Sequence, residues 1–206
     1  MPAPTDHTVR RLEVARAAVH SIARTGLEGA TLRAVADEGG WSVGVVQYYF
    51  RNKSELLIAA VDFLAEQTNE VMSNQTESED VLIGLQAVLR QIVFERGRHG
   101  ANYWKVWICF WAQATNDAQM AKAVGDHARL WRQRLTTVIK NGQKDGSINS
   151  SADAESEAAY LAAVIDGLGI TSVVDPDCPL GADMVERMTA RLGGGDPSVL
   201  GSASRT

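Results

Sequence analysis

An all-α fold follows from three features of this 206-residue chain. Its prolines are Pro2, Pro4, Pro176, Pro179 and Pro197, so no helix-breaking ring interrupts residues 5–175. Apolar residues recur at three- and four-residue spacing in one segment after another. Runs that alternate apolar and polar residues, as a half-buried strand requires, are absent.

The elements can be justified in order. Residues 8–25 place Leu12, Ala15, Val19 and Ile22 on one face of a first helix, and Gly26 suits its C-terminal end. Thr31 is a good N-cap for a second helix carrying Leu32, Val35 and Ala36, which Gly39 and Gly40 stop. Ser42 opens a third helix of barely two turns, ending near Tyr48. Asn52 and Glu55 have capping-box spacing and start a long helix to about Ser73. The polar stretch NQTESED, residues 74–80, reads as a turn. Further helices are expected near 79–96, 101–114, 117–144, 153–173 and 181–192. The tail GGGDPSVLGSASRT, residues 193–206, is expected to be disordered. Its glycines follow no strand, so they do not form a dinucleotide loop.

Composition narrows the function. Apolar residues make up 45% of the chain and charged residues 22%, an ordinary globular mix. The net charge is −5, unevenly spread: residues 1–55 hold seven Lys or Arg and six Asp or Glu, the rest 13 and 19. A near-neutral head on an acidic body permits nucleic-acid binding by the head alone. Two cysteines, Cys109 and Cys178, give no disulfide framework, and no signal peptide opens the chain, so a cytoplasmic home is expected. The run AAYLAAVIDGLGITSVV, residues 158–174, is short for a membrane span and carries Asp166, so it is expected to be a buried helix with no membrane partner. The four histidines lack metal spacing, and no nucleophile motif is present. Neither a metal, a cofactor nor an enzymatic role is expected.

The short third helix is the informative one. A helix-turn-helix packs two short helices steeply through a tight turn and leaves one face of the second for the major groove. Ala36 supplies the small residue, Gly40 the turn, and Val35, Trp41 and Val46 the apolar filling. With Val46 inward, Ser42, Val43 and Gln47 face outward. Gln47 can bond adenine in bidentate fashion, and Val43 can meet a thymine methyl. Gly44 lets backbone approach DNA. Tyr48 and Lys53 suit phosphate, as do Thr31 and Arg33 at the start of the second helix.

Residues 26–57, GLEGATLRAVADEGGWSVGVVQYYFRNKSELL, closely resemble the DNA-binding domain of the tetracycline-repressor (TetR) family. Gly26, Thr31, Ala36, Gly40, Ser42, Gly44, Tyr49, Phe50, Lys53, Leu56 and Leu57 carry the match. The chain departs from the usual pattern at Trp41, where valine is usual, at Gln47, where tyrosine is common, and at Tyr48, where histidine is common. The resemblance implies a homodimeric regulator, usually a repressor, that holds a palindromic double-stranded operator and lets go when a small molecule binds. It implies a DNA-binding domain over 1–52, an effector-binding and dimerisation domain over 53–192, and a dimer through the last two helices. Tyr49 joins the DNA-binding set on this ground. Tilting of the linking helix from Lys53 would change the head spacing.

Residues 102–135 hold four of the five tryptophans. Trp104, Trp107 and Trp111 form one helical stripe, with Tyr103 and Phe110 beside it and Trp131 on the next helix. Such rings serve as core packing or as the wall of a cavity that holds a cation. Trp107, Phe110, Trp111, Ala112, Ala114 and Asp117, with Trp131, Arg132, Arg134 and Leu135 and the run Ile165–Leu168, resemble the betaine-regulator (BetI-like) subgroup, whose named member senses choline. That similarity implies a small-molecule effector and admits a quaternary amine. Asp166 has three readings: pairing with Arg132 or Arg134, capping a neighbour, or facing a cationic ligand. A helical sensor or carrier without operator-specific binding is the alternative function.

Overall fold

Helix α1 (Asp6–Gly29) begins the computed structural model, which describes residues 6–74, 80–95, 101–179, 181 and 183–193. Its buried stripe is Val14, Ala15, Ala18, Val19 and Ile22. Leu12, expected on that face, is 49% exposed, because the stripe starts only at Val14. Gly26 takes φ 73° and ψ 177°, a backbone essentially restricted to glycine, and breaks the helix where the sequence placed its end.

Helix α2 (Leu32–Gly39) is capped by the Thr31 hydroxyl, which accepts from the Ala34 N–H at 3.1 Å. Gly40 closes it at φ 69°. The Gly40 N–H donates to the Asp37 carbonyl (3.3 Å) and the Trp41 N–H to the Ala36 carbonyl (2.8 Å), the two bonds of a Schellman motif. Gly39 is needed for a different reason: a Cβ there would lie 2.2 Å from the Trp41 ring. The glycine pair therefore both stops α2 and seats Trp41.

Helix α3 (Val43–Tyr49) follows. Ser42 holds its N-cap position, but the hydroxyl makes no capping bond, contrary to expectation; only the Ser42 carbonyl is used, by the Val45 N–H at 3.0 Å. Helix α4 (Lys53–Asn74) is capped by Asn52, whose Oδ1 accepts from the Glu55 N–H at 2.9 Å. The Glu55 carboxylate reaches back to the Arg51 N–H (3.0 Å) rather than to that of Asn52, so the box is shifted by one residue.

Helix α5 (Val81–Arg90) widens into a π-helical turn at Gln91–Glu95. It is followed by α6 (Ala101–Ala114), α7 (Ala118–Asp145), α8 (Ala154–Val174) and α9 (Met184–Thr189). The last is shorter than the expected 181–192, since the chain turns after Thr189 and the Leu192 carbonyl accepts from the Asn149 N–H at 2.7 Å. No strand occurs among the described residues. The tail from 194 onward, and residues 75–79 of the expected turn, lie outside them.

The helices form two compact units. The first comprises Met1–Thr68 with Gly100–His127. Its core includes Val35, Ala36, Val46, Phe50, Leu56 and Leu64 together with the buried face of α1. The Thr68 and Tyr103 hydroxyls meet at 2.7 Å and tie α4 to α6. Ser54 with Gln119 (3.1 Å) and Asp62 with His127 (3.0 Å) tie α4 to α7.

The second unit comprises Asn69–His99 with Ala128–Thr206. Leu85, Leu89, Leu135, Ile139, Leu161, Ile165 and Val185 are buried in it. Gln86 donates to the Thr189 hydroxyl (2.9 Å), and Arg90 pairs with Glu186. Helix α8 corrects an expectation, for it is not buried all round. Leu161, Ala162, Ile165, Leu168 and Gly169 are covered. Tyr160, Ile170 and Val174 are exposed, and so are Ser156, Ala163 and Gly167 on the same stripe at three- and four-residue spacing. An apolar helix normally buries every face, so this stripe lacks its cover within the described chain. Helix α8 is also long and apolar enough to cross a membrane, with mean hydropathy 1.4 over its most apolar window, of which 33% is buried.

Candidate functional site

The first unit presents α3 as a short helix held on one buried side chain. Val46 is fully buried, whereas Ser42, Gly44, Gln47 and Tyr48 are exposed and Val43 and Tyr49 half-buried. Val46 inward with Ser42 and Gln47 outward appear as predicted, while Val43, expected outward, is half-buried. A Cβ on Gly44 would meet only the Ser42 hydroxyl, at 3.7 Å, so its surface is open. Thr31 and Arg33 are exposed beside α3, the Thr31 hydroxyl being engaged in its cap. The Lys53 ammonium donates to the Glu28 carbonyl at 3.2 Å, which holds it at the edge of the same unit.

Three residues near α3 were not singled out from the sequence. His7 lies with its ring centroid 4.9 Å from that of Tyr49 and 5.9 Å from that of Tyr48. The Arg11 guanidinium donates to the Tyr49 carbonyl at 2.8 Å and sits 4.3 Å over the Phe50 ring. The Arg10 guanidinium lies 5.6 Å from the Trp41 ring centre while also pairing with Glu13 (2.8 Å). The one available signal was the spacing 7, 10, 11, which puts all three on one helix face.

The aromatic candidates divide between the units. Trp104, Trp107, Phe110 and Trp111 lie together on α6 in the first. Trp107 stacks on Trp111 at 6.1 Å and 28°, and Trp104 lies 6.4 Å from Trp111. Phe110 meets the edge of Trp107 at 6.2 Å. Trp104, Trp107 and Phe110 are buried and Trp111 half-buried. The Trp104 indole N–H is buried with no hydrogen-bond partner among the described residues. A donor orphaned in this way costs roughly 1–3 kcal/mol unless water or a ligand satisfies it.

Trp131 and Asp166 belong to the second unit, both half-buried. Burial pushes the Asp166 carboxyl up to about 6, and the positive charge of Arg132 offsets only part of that. No ion pair to Arg132 or Arg134 forms among the described residues, so the expected structural pairing reduces to a longer-range attraction. An open cleft of about 400 Å³ in the first unit is lined by Thr25, Gly26, Leu27, Glu28, Cys109, Ala112 and Gln113. Burial raises the Cys109 thiol above its ordinary range, against the smaller effect of a bond to the Leu27 backbone. A protonated thiol is a weak nucleophile, so nothing at Cys109 favours nucleophilic chemistry in this cleft.

Two family models match the chain. The one for bacterial regulatory proteins of the tetR family covers residues 14–60, and the one for the C-terminal part of BetI-type transcriptional repressors covers 84–194. The chain is 29% identical over 179 residues to the HTH-type transcriptional regulator PksA of Bacillus subtilis, covering 85% of this chain and 84% of that one. It is 28% identical over 173 residues to the HTH-type transcriptional regulator BetI of Burkholderia ambifaria, covering 82% and 84%. A solved transcriptional regulator from Rhodococcus sp. Rha1 superposes with a TM-score of 0.69 at 25% identity, over 86% of this chain and 90% of that one. A regulator from Saccharomonospora viridis, solved in complex with choline, has the same fold, with a TM-score of 0.69 at 24% identity over 87% and 93%.

Proposed function

The chain belongs to the TetR family of transcriptional regulators, with a BetI-type C-terminal part, and on that premise we propose that it is a homodimeric repressor whose α3 reads a palindromic operator. Residues 1–52 are the reader, and residues 53–192 bind the effector and dimerise. The family regulates transcription, and no enzymatic role is assigned. Its place of work is the cytoplasm, where the DNA is. The observation that carries the reading is the two-sidedness of α3, with Val46 fully buried and Gln47 exposed behind a Schellman turn.

Thr31, Arg33, Tyr48, Tyr49 and Lys53 hold the DNA backbone in this proposal, while Ser42, Val43 and Gln47 meet base edges and Gly44 lets the α3 backbone approach the DNA. Gln47→Ala tests it by selection of bound sequences from random duplex DNA. The variant is expected to lose preference at one base pair per half-site, about 1–3 kcal/mol of discrimination, with the remaining positions unchanged. An unaltered selected sequence would sink the assignment of Gln47.

The dimer is proposed to form along the exposed α8 stripe from Ser156 to Val174. An apolar seam at heptad-like spacing fits a second copy of itself across a two-fold axis. This also accounts for the hydropathy of α8 without a membrane, since Asp166 sits within the helix.

The effector is proposed to lie against Trp104, Trp107, Phe110 and Trp111, where ring faces suit a quaternary amine and the free Trp104 N–H suits an acceptor atom. In the second unit, Trp131 and Asp166 are the candidates, Asp166 as a counter-charge to a cation. Choline, followed by tryptophan fluorescence, is the probe. Saturable quenching is expected, and Trp104→Phe, which keeps a ring but removes the donor, should weaken it about tenfold, the worth of one hydrogen bond. Unchanged fluorescence at high millimolar choline would remove the quaternary amine from the reading, and equal binding by Trp104→Phe would remove the N–H.

A further inference from the structure

A helix as short as α3 cannot hold its own position. Its seven residues bury only Val46 fully. Something else must hold both of its ends, and the structure places three side chains of α1 there. At the C-terminal end, the Arg11 guanidinium donates to the Tyr49 carbonyl (2.8 Å) and covers the Phe50 ring (4.3 Å). A cation is favoured at a helix C-terminus, where carbonyls lack partners. His7 adds its ring to the Tyr48–Tyr49 pair, whose own centroids are 5.0 Å apart at 87°. At the N-terminal end, Trp41 directly precedes Ser42, and Arg10 lies over its ring at 5.6 Å.

Two of the ring partners, Trp41 and Tyr48, are positions at which this chain departs from the usual family pattern. We infer that His7, Arg10 and Arg11 are positioning residues for operator recognition: they bracket α3 at both ends through Trp41, Tyr48, Tyr49 and Phe50. The inference rests on α3 being the DNA reader. It assigns these three side chains a structural duty toward α3, which separates them from residues that merely neutralise phosphate. Tyr48 is 72% exposed and is flanked by the rings of Tyr49 at 5.0 Å and His7 at 5.9 Å, so His7 is the support that α1 lends to the pair.

The test is titration of the full-length protein with two duplexes, the one enriched by selection from random DNA and an unrelated one, at several salt concentrations. Arg11→Ala is expected to weaken binding to the enriched duplex about tenfold or more while changing the unrelated duplex and the salt slope little, because specificity is lost rather than a phosphate contact. Arg11→Lys keeps the charge but not the planar stack, and should fall between. His7→Phe should hold within about threefold of wild type and His7→Ala should not, since a ring is what Tyr48 and Tyr49 lose. In a Trp41→Val background, Arg10→Ala should cost under about twofold, since coupled residues are not additive.

Equal loss on both duplexes, with the slope falling by about one per residue removed, would overturn the inference in favour of simple phosphate contacts. So would additive losses for Arg10→Ala and Trp41→Val. Gln47→Ala on the same duplexes separates the two readings. If it changes base preference while Arg11→Ala and Arg11→Lys leave specific affinity intact, the bracket fails and the reader stands. If Gln47→Ala changes nothing, the reader itself fails.

Discussion

Gly167→Arg is expected to turn the proposed dimer into monomers and to weaken operator binding by at least about 100-fold. Gly167 lies mid-stripe on the exposed face of α8, and a Cβ there would meet nothing within 4 Å in its own chain. A larger residue therefore does not disturb the protomer. Replacing a mid-helix glycine even removes a backbone cost of roughly 0.5–1 kcal/mol. Only a partner pressed against the stripe can object to the arginine. Once the dimer is lost, each head binds a half-site alone and forfeits the effective concentration that linkage provides, typically 10²–10⁴-fold. Size-exclusion chromatography with light scattering reads the first effect and operator titration the second. Ala121→Arg, exposed on α7 in the first unit, is the control and should stay dimeric. A Gly167→Arg protein that remains dimeric would place the interface elsewhere.

The second large effect is on stability. Asp166→Asn should stabilise the protein at pH 7.5 by up to about 3 kcal/mol, two pH units of displacement at 1.36 kcal/mol each. Burial lifts the carboxyl from 3.8 to about 6, with Arg132 pulling the other way. The unfolded chain thus ionises this group more readily than the folded one. Below about pH 4 the carboxyl is protonated in both states and the native fold bears no penalty. The penalty grows as pH rises from about 4 to 6 and is complete above that. Denaturant unfolding of both proteins from pH 4 to 8 should show a difference near zero at the acid end and a plateau above pH 7. If Asp166→Asn instead destabilises the protein at neutral pH, the carboxylate is sustained by Arg132 as a buried pair, and removing it leaves that cation alone.

The same mutation bears on function. A cationic effector that kept Asp166 ionised would bind less tightly to the Asn variant. An increase in stability joined to a loss of choline response would give Asp166 both roles.

What was legible in the sequence was local. Thr31, Gly40 and Gly26 act through bonds and dihedral angles within a few residues, so their types and spacing announce them. The inward Val46 and outward Gln47 follow from the phase of one short helix. The bracket of α1 around α3 was not legible. Arg11 and Tyr49 are 38 residues apart, and nothing local distinguishes a charged side chain that caps a distant helix from one that is merely solvated. The apolar run of α8 reads the same whether its own chain or a second copy covers it, which is why its exposed stripe emerged only in three dimensions. Asp166 carried two readable facts, a charge and an apolar setting. Whether an arginine reaches it depends on packing between helices.

The aromatic cluster of α6 was half legible. Spacing put Trp104, Trp107 and Trp111 on one stripe, and the rings do meet. The orphaned N–H of Trp104 depends on what surrounds the indole, which no spacing reveals. Trp131 and Asp166 lie in the second compact unit and remain effector candidates there.

The central claim is that the dimer reads a symmetric DNA site through α3. Selection from random duplexes with the wild-type protein, followed by titration of the enriched duplex at two salt concentrations, tests it most directly. The expected result is a palindrome whose half-sites lie about one helical turn, or a modest multiple, apart, bound with steep salt dependence and at least about 10³-fold more tightly than unrelated DNA. Enrichment of no sequence, with equal affinity for every duplex, would contradict it and leave a helical small-molecule sensor as the function.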